Sequence, residues 1–392
     1  MPKPRIAFYL YGHEAYGHRS AVENLCRAMR AEGWQVFAAL RKEGNAANWF
    51  AAAGAKIEIL SPAPPSLRHI PLRLRTLQQL LIPDMTQVPD LLRMLRRNRV
   101  TALHTIQPGL LPQAGSAARE AGIPCLWEMS NVITPMPWGI NRRIYQHLLK
   151  RYGITPLAHS AMTAQSLLPG PVIPEPWVLG SDSRRFSPKA KRRHGGKIRV
   201  GMVARLVEEK GAVELLTACM RLDADRMELV LVGGPGTGKV EKAESALFRT
   251  RLSEQARRGG WERRLHLAGE QSSPESWIRD FDFSVSCRRT PESFGLNVVE
   301  AMLMGKPVLA YARGGPGEII RDGIDGWLVD NEGSHGLEAG LRRALADRPR
   351  WAAMGRAALL RARLRYSFEA QLSYYKAALR RASAGMKAAW PT

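Results

Sequence analysis

Short apolar runs alternate with amphipathic stretches along this chain, and the alternation runs twice. It begins with Arg5–Tyr9, a polar loop YGHEAYGHRS, and apolar positions at helical spacing over Ala21–Glu32 that Gly33 closes. Gln35–Leu40, Val100–His104, Pro124–Glu128 and Ile154–Ala158 read as later strands of the same series. A polar, basic stretch punctuated by Pro and Gly, GSDSRRFSPKAKRRHGGK over Gly180–Lys197, interrupts it. The series then restarts with strands at Ile198–Ala204, Met227–Val232, Leu265–Leu267, Phe283–Ser286 and Pro307–Tyr311. Helices are predicted at Ala212–Met220, Glu241–Gly259 and Leu296–Met304, and the tail from His335 to Ala389 is almost wholly helical.

Strands that alternate with helices predict parallel sheets covered on both faces. The expected fold class is therefore α/β, built from two doubly wound, Rossmann-like domains. Their expected bounds are residues 1–180 and 198–365, joined by a linker at 181–197. The helical tail, 366–392, is expected to cross back to the N-terminal domain. Two such domains facing one another would set a cleft between the carboxyl edges of their sheets.

Composition adds one unusual number. Apolar residues are 45% and charged residues 24% of the 392, which is ordinary for a globular protein. No apolar run is long enough for a membrane span, and the N-terminal MPKPRIAFYLYGHE turns polar too soon for a signal peptide. Cys26, Cys125, Cys219 and Cys287 are far apart, which predicts small buried hydrophobes in a reducing cytoplasm and no zinc or disulfide framework. Lys plus Arg, however, is 58 against 35 Asp plus Glu, a formal net charge of +23. Such an excess points to an anionic membrane surface or a phosphate-bearing substrate, since no nucleic-acid motif accompanies it. The expected location is cytoplasmic, with peripheral attachment to the inner face of the cytoplasmic membrane as its extension.

Two motifs invite misreading. The run LVLVGGPGTGK fits a phosphate-cradling loop, but Val240 stands where the Mg²⁺-holding hydroxyl belongs. A whole strand-helix unit also precedes it, and no acidic Walker B strand follows. Asp223-Ala-Asp225 and Asp280-Phe-Asp282 could be metal carboxylates, but both precede a predicted strand and so fall at the edge away from ligands. No metal site is expected.

The chemistry concentrates in two stretches. In PESFGLNVVEAMLMGKP, Gly295 opens a helix near Leu296, where free amides favour an anion and backbone can approach a ligand. Glu292 before that helix and Glu300 a turn inside it are candidates to bind hydroxyls of one extended ligand. In VGMVARLVEEKG, Arg205 follows a strand and Lys210 precedes a helix, so both cations project from the carboxyl edge. Together they have the makings of a diphosphate clamp.

ARLVEEKG, ESFGLNVVEAMLMGKPVLA and GGPGEIIRDGIDGWLV resemble glycosyltransferase family 4, retaining enzymes of the GT-B fold. The likeness is strong from about Ile198 to Asp330 and weaker through the N-terminal half, where ALHTIQP and AGIPCLWEM carry it. LVLVGGPGTGK resembles the strand and Gly-rich turn of that family. The resemblance implies that Arg205 and Lys210 neutralise a diphosphate leaving group without a metal. It implies that Glu300 holds ribose hydroxyls and Glu292 those of the donor sugar. The amides around Phe294, Gly295 and Leu296 would meet sugar and phosphates, and Gly17 would close on the phosphates from the N-terminal domain. It further implies front-face attack, in which the leaving phosphate takes the acceptor proton. One departure stands out: a family histidine is replaced in CLWEMSNV by Glu128, Met129 and Ser130. His104 and His18 are candidates to face the cleft instead, each weighed against a structural role.

The expected function is transfer of a sugar from a UDP- or GDP-linked donor to a hydroxyl of a glycan, lipid-linked or lipopolysaccharide acceptor. The donor is a substrate, so no cofactor is expected, and no specific nucleic-acid partner. The segment Leu67–Leu81 alternates basic and apolar residues and could lie on an anionic bilayer or be an ordinary outer helix. Two other classes remain open: a sugar-nucleotide epimerase or phosphorylase on the same fold, and a non-catalytic polyanion- or membrane-binding protein.

Overall fold

The computed structural model describes residues 3–13, 16–60, 72–188, 196–222, 226–235, 239–330 and 332–389. The chain forms two units, Met1–Leu179 with Phe368–Thr392, and Gly180–Ser367. The basic cluster Lys189–Arg193 and the triplet Asp223–Asp225 lie outside the described residues. Gly180, the last residue of the expected first domain, and residues 181–188, at the head of the expected linker, belong to the second unit.

The first unit holds β1 (Arg5–Leu10), β2 (Gln35–Leu40), β3 (Lys56–Ile59), β4 (Ala102–Thr105), β5 (Cys125–Met129), β6 (Ile154–Ala158) and β7 (Glu175–Pro176). They form one parallel sheet in the order β3-β2-β1-β4-β5-β6-β7. The inner strands are buried on both faces, as their near-continuous apolar runs require. Edge strand β3 instead exposes Ile57 and Ile59 and carries no such run. Helix Val88–Arg97 buries Val88, Leu91, Leu92, Met94 and Leu95 and leaves Arg93, Arg96 and Arg97 outside, an ordinary amphipathic outer helix.

A polar knot sits in this core. Glu128 on β5 is held by His159 Nε2 at 3.1 Å and faces His104 Nε2 at 3.4 Å. His159 Nδ1 meets the Trp177 carbonyl at 3.1 Å, and His104 Nδ1 meets the Tyr375 hydroxyl at 3.3 Å. His104 is fully buried and stacks on Tyr375, so it faces no cleft and its role is structural. Burial opposes charge on Glu128, but the two imidazoles outweigh it and hold the carboxyl below its usual range. Tyr375 lies on the C-terminal helix Phe368–Ala389, which Lys376 also ties to Glu32 and Arg381 to Glu175.

The second unit holds β8 (Ile198–Val203), β9 (Met227–Val232), β10 (Leu265–Gly269), β11 (Phe283–Ser286), β12 (Val308–Tyr311) and β13 (Gly326–Val329). Its sheet is also parallel, ordered β10-β9-β8-β11-β12-β13. At its amino edge Asp282 is paired with the backbone of Arg199 in both directions, accepting on its carboxylate and donating from its amide at 2.8 Å each. That is a structural use of the triplet read above. The four cysteines are free and buried.

The polar knot predicts a large asymmetry. Glu128→Ala strands two buried imidazoles and should cost about 3–5 kcal/mol in urea denaturation. Tyr375→Phe removes one hydrogen bond and should cost about 0.5–1.5 kcal/mol.

Candidate active site

The order of the second sheet reverses between β8 and β11, the point at which open α/β sheets take ligands above their carboxyl ends. The loops leaving those two strands carry Arg205 to Lys210 and Arg288 to Gly295. Neighbouring strands bring them together. The Arg289 amide donates to the Glu209 carbonyl at 2.9 Å, and Cys287 Sγ lies 3.4 Å from the Gly211 carbonyl.

Lys210 Nζ donates to Glu292 Oε2 at 2.8 Å, and Arg288 Nη1 to Glu292 Oε1 at 3.0 Å. Arg288 is ion-paired on its other side with Glu209. The Lys210 and Glu292 side chains are each 19% exposed, buried enough to be held and open enough to be reached. Burial pushes the Glu292 carboxyl up, but Lys210 and Arg288 more than offset it and keep the group ionised. Arg205 stands apart, exposed and without an ion pair among the described residues.

Helix Leu296–Leu303 rises beside this cluster. Gly295 is its N-cap at φ +103°, a backbone state that L side chains rarely adopt, and no side chain caps the helix. Asn297 Nδ2 reaches the Val203 carbonyl at 3.3 Å and Ser286 Oγ at 3.4 Å, which pins the helix start over the ends of β8 and β11. Phe294 is buried against Tyr366, so it offers backbone to the site and not its ring. Leu296 is half-buried in the first turn. From helix Gly314–Ile319 the Gly315 amide donates to the Glu292 carbonyl at 2.8 Å.

Glu300 lies half-buried in the second turn. Burial pushes its carboxyl up to about 8, against the pull of Arg185, and no hydrogen bond offsets the effect. Such a carboxyl lacks donors, and ligand hydroxyls could supply them.

The Gly-rich run after β9 has a packing explanation. A side chain at Gly233 would sit 1.8 Å from the Ala204 carbonyl, and Leu206 donates to the Gly234 carbonyl at 3.1 Å. The turn is glycine because it lies against the loop that bears Arg205. Residues 236–238 lie outside the described residues.

Gly17, expected in the opening loop, falls within helix Tyr16–Ala31 of the first unit; the His18 side chain lies outside the described residues. The structure thus joins Lys210 to Glu292 and places Gly295, Leu296 and Glu300 on the adjoining helix. Sequence reasoning missed Arg288, Asn297 and Arg313, whose Nη2 donates to the Arg288 and Arg289 carbonyls at 3.3 and 2.5 Å. CRRT reads as surface charge, and only the fold shows that Arg288 turns inward. Ser286, Arg288, Glu292, Tyr311, Arg313 and Pro316 line a small hollow there. A larger one, about 390 Å³, lies between helices Ala212–Arg221 and Lys239–Arg258, and none of these residues lines it. No group of three or more metal-ligating side chains occurs among the described residues.

Comparison with known proteins bears on the family and the fold. Residues 183–361 match the family model "Glycosyl transferases group 1" and residues 17–164 match "Glycosyl transferase 4-like domain". A lipopolysaccharide 1,2-N-acetylglucosaminetransferase of Salmonella typhimurium is 32% identical over 37% of this chain and 39% of its own length. A lipopolysaccharide core biosynthesis mannosyltransferase of Rhizobium meliloti is 28% identical over 54% of this chain and 61% of its own. The chain thus spans about two fifths to three fifths of the length of these relatives. A GDP-mannose-dependent alpha-mannosyltransferase of Mycolicibacterium smegmatis is 26% identical over 82% of this chain and 87% of its own. Among solved structures, Alr3699/HepE of Anabaena in complex with UDP and glucose superposes with a TM-score of 0.75 at 19% identity, over 96% of this chain and 99% of that one. A glycosyltransferase from Rickettsia africae gives 0.80 at 16%, over 97% and 99%. The two parallel sheets and the two family models, one on each half of the chain, agree: the chain belongs to the family-4 type of glycosyltransferases with the GT-B fold.

Proposed function

We propose that the chain transfers a sugar, with retention at the anomeric carbon, from a UDP- or GDP-linked donor to a hydroxyl of a glycan, lipid-linked or lipopolysaccharide acceptor. The observation that carries this reading is Lys210 bound to Glu292 above the β8/β11 switch point, beside an uncapped helix start. A relative that uses GDP-mannose, a structural neighbour that binds UDP, and two relatives named for lipopolysaccharide support the choice of donor and acceptor classes.

In this reading Arg205 and Lys210 meet the diphosphate and need no metal. Breaking the C1–O bond leaves negative charge on the diphosphate, and cations already in place lower that barrier without reorganising. Glu292 orients Lys210 and turns its remaining lone pairs to donor-sugar hydroxyls. Held by two cations, it is a poor nucleophile. That favours front-face attack, in which the acceptor oxygen bonds to C1 as the diphosphate leaves and takes the acceptor proton. Gly295 and Leu296 offer amides, and Glu300 accepts from the ribose. Gly17 is assigned the phosphate side of the first unit.

Arg205→Ala or Lys210→Ala should lower turnover about 10²–10³-fold in a folded protein. Near-normal turnover in either purified variant contradicts the clamp, and isomerised or phosphorolysed sugar in place of transfer contradicts the reaction class.

Glu300 makes a pH prediction. Its carboxyl rises from an ordinary 4.5 to about 8 on folding, so stability present below pH 4.5 is lost progressively as pH rises to about 8. Glu300→Gln cannot ionise and should gain in melting temperature relative to the parent between pH 5 and 8, read by scanning calorimetry. Ribose hydroxyls favour the carboxylate, so nucleoside diphosphate should bind the parent more tightly as pH rises toward 8. Calorimetric titration of the Gln variant should lose that trend.

A further inference from the structure

Helix Ile140–Tyr152 of the first unit and the turn before it are not used by the chemistry above. Asn141, Tyr145, Gln146, Leu148 and Leu149 face inward. Ile140, Arg143, His147, Lys150 and Arg151 are exposed, and their spacing puts them on one outer stripe. No Asp or Glu occurs between Glu128 and Glu175. Arg119 joins the far end of the stripe, donating to the Arg151 carbonyl at 3.3 Å.

The near end is apolar. Trp138 is 84% exposed, and Ile173 is 72% exposed on a loop that Gln146 and Arg142 bind to the same helix at 2.9 Å, through Val172 and Leu168. Trp138 has φ +55°, an outlier for a bulky side chain. The turn is held in that state: Asn141 Nδ2 donates to Thr134 at 2.7 Å, the Met136 amide donates to Asn141 Oδ1 at 3.2 Å, and the Gly139 amide to Met136 at 2.9 Å. A strained turn that aims an indole into solvent, followed by an acid-free basic stripe, is built to meet something apolar just below a sheet of negative charge.

We propose that this face docks on an anionic lipid bilayer, with Trp138 and Ile173 at headgroup depth and Arg143, Lys150 and Arg151 on the lipid phosphates. Tryptophan suits that boundary because one end of its ring is apolar and the other a hydrogen-bond donor. The proposal rests on the reading above only for its purpose, to bring a lipid-borne acceptor to the enzyme, and its test uses no turnover.

The full chain is sedimented with zwitterionic vesicles and with vesicles rich in phosphatidylglycerol, at low and high salt. The expected result is binding to the anionic vesicles alone, lost at high salt. Each surface cation is worth about fivefold, so Arg143→Glu with Lys150→Glu should weaken binding at least twenty-five-fold. Trp138→Ala should weaken it about tenfold with an unchanged melting temperature. Arg93→Glu with Arg97→Glu makes the same charge change on another helix of this unit and should cost less than threefold. Absence of vesicle binding by the parent overturns the proposal, as does equal loss in the two double variants. A Trp138→Ala protein that keeps vesicle binding but binds a glycan acceptor more weakly would make the indole an acceptor platform, and would overturn it too. None of these outcomes depends on the diphosphate clamp, whose failure would show in nucleotide binding.

Discussion

The 2.8 Å contact between Lys210 and Glu292 is the constraint on which the candidate site depends. An ammonium on a four-carbon stem does not hold a position unaided. Here a carboxylate fixes it, and Arg288 fixes the carboxylate from the other side. The arrangement is stable because the loops that bear these groups leave adjacent strands and share backbone hydrogen bonds. Lys210 and Arg288 are balanced by Glu292 and Glu209, while Arg205, on the same loop as Lys210, is exposed and has no ion pair among the described residues.

The scaffold serves this contact through close approach of backbone. Glycine at 233 lets the turn after β9 touch the Arg205 loop, and Gly295 starts the helix over the ends of β8 and β11. The resemblance to a P-loop arises from such packing. Tightly apposed βα turns need small residues whether or not they cradle phosphate, and the residues that would distinguish the two cases are different ones.

Much of this was legible in the chain. The inner strands announced themselves as apolar runs because both faces of a parallel sheet are buried, and Arg205, Lys210, Glu292 and Glu300 stood out by their places at strand and helix ends. Edge strand β3 was not legible, since one open side removes the need for an apolar run. Arg288 was lost among neighbouring arginines because a loop has no period from which to read direction. His104, at a strand end, stood open between a cleft-facing and a structural role. Its actual partners, Glu128 and Tyr375, are distant in sequence: pairing of β4 with β5 brings the first, and the C-terminal helix packed on the sheet brings the second. Trp138 carried no signal at all, for exposure is a property of the folded turn and not of the residue.

The central claim is that a diphosphate lies between the β8 and β11 loops, against Lys210, Arg205 and the start of helix Leu296–Leu303. A crystal structure of the protein with UDP or GDP bound tests it most directly. The account predicts phosphate oxygens within hydrogen-bonding distance of Lys210 Nζ and the Arg205 guanidinium, and ribose hydroxyls on Glu300. A nucleotide found elsewhere, with Lys210 still engaged by Glu292 alone, would contradict it.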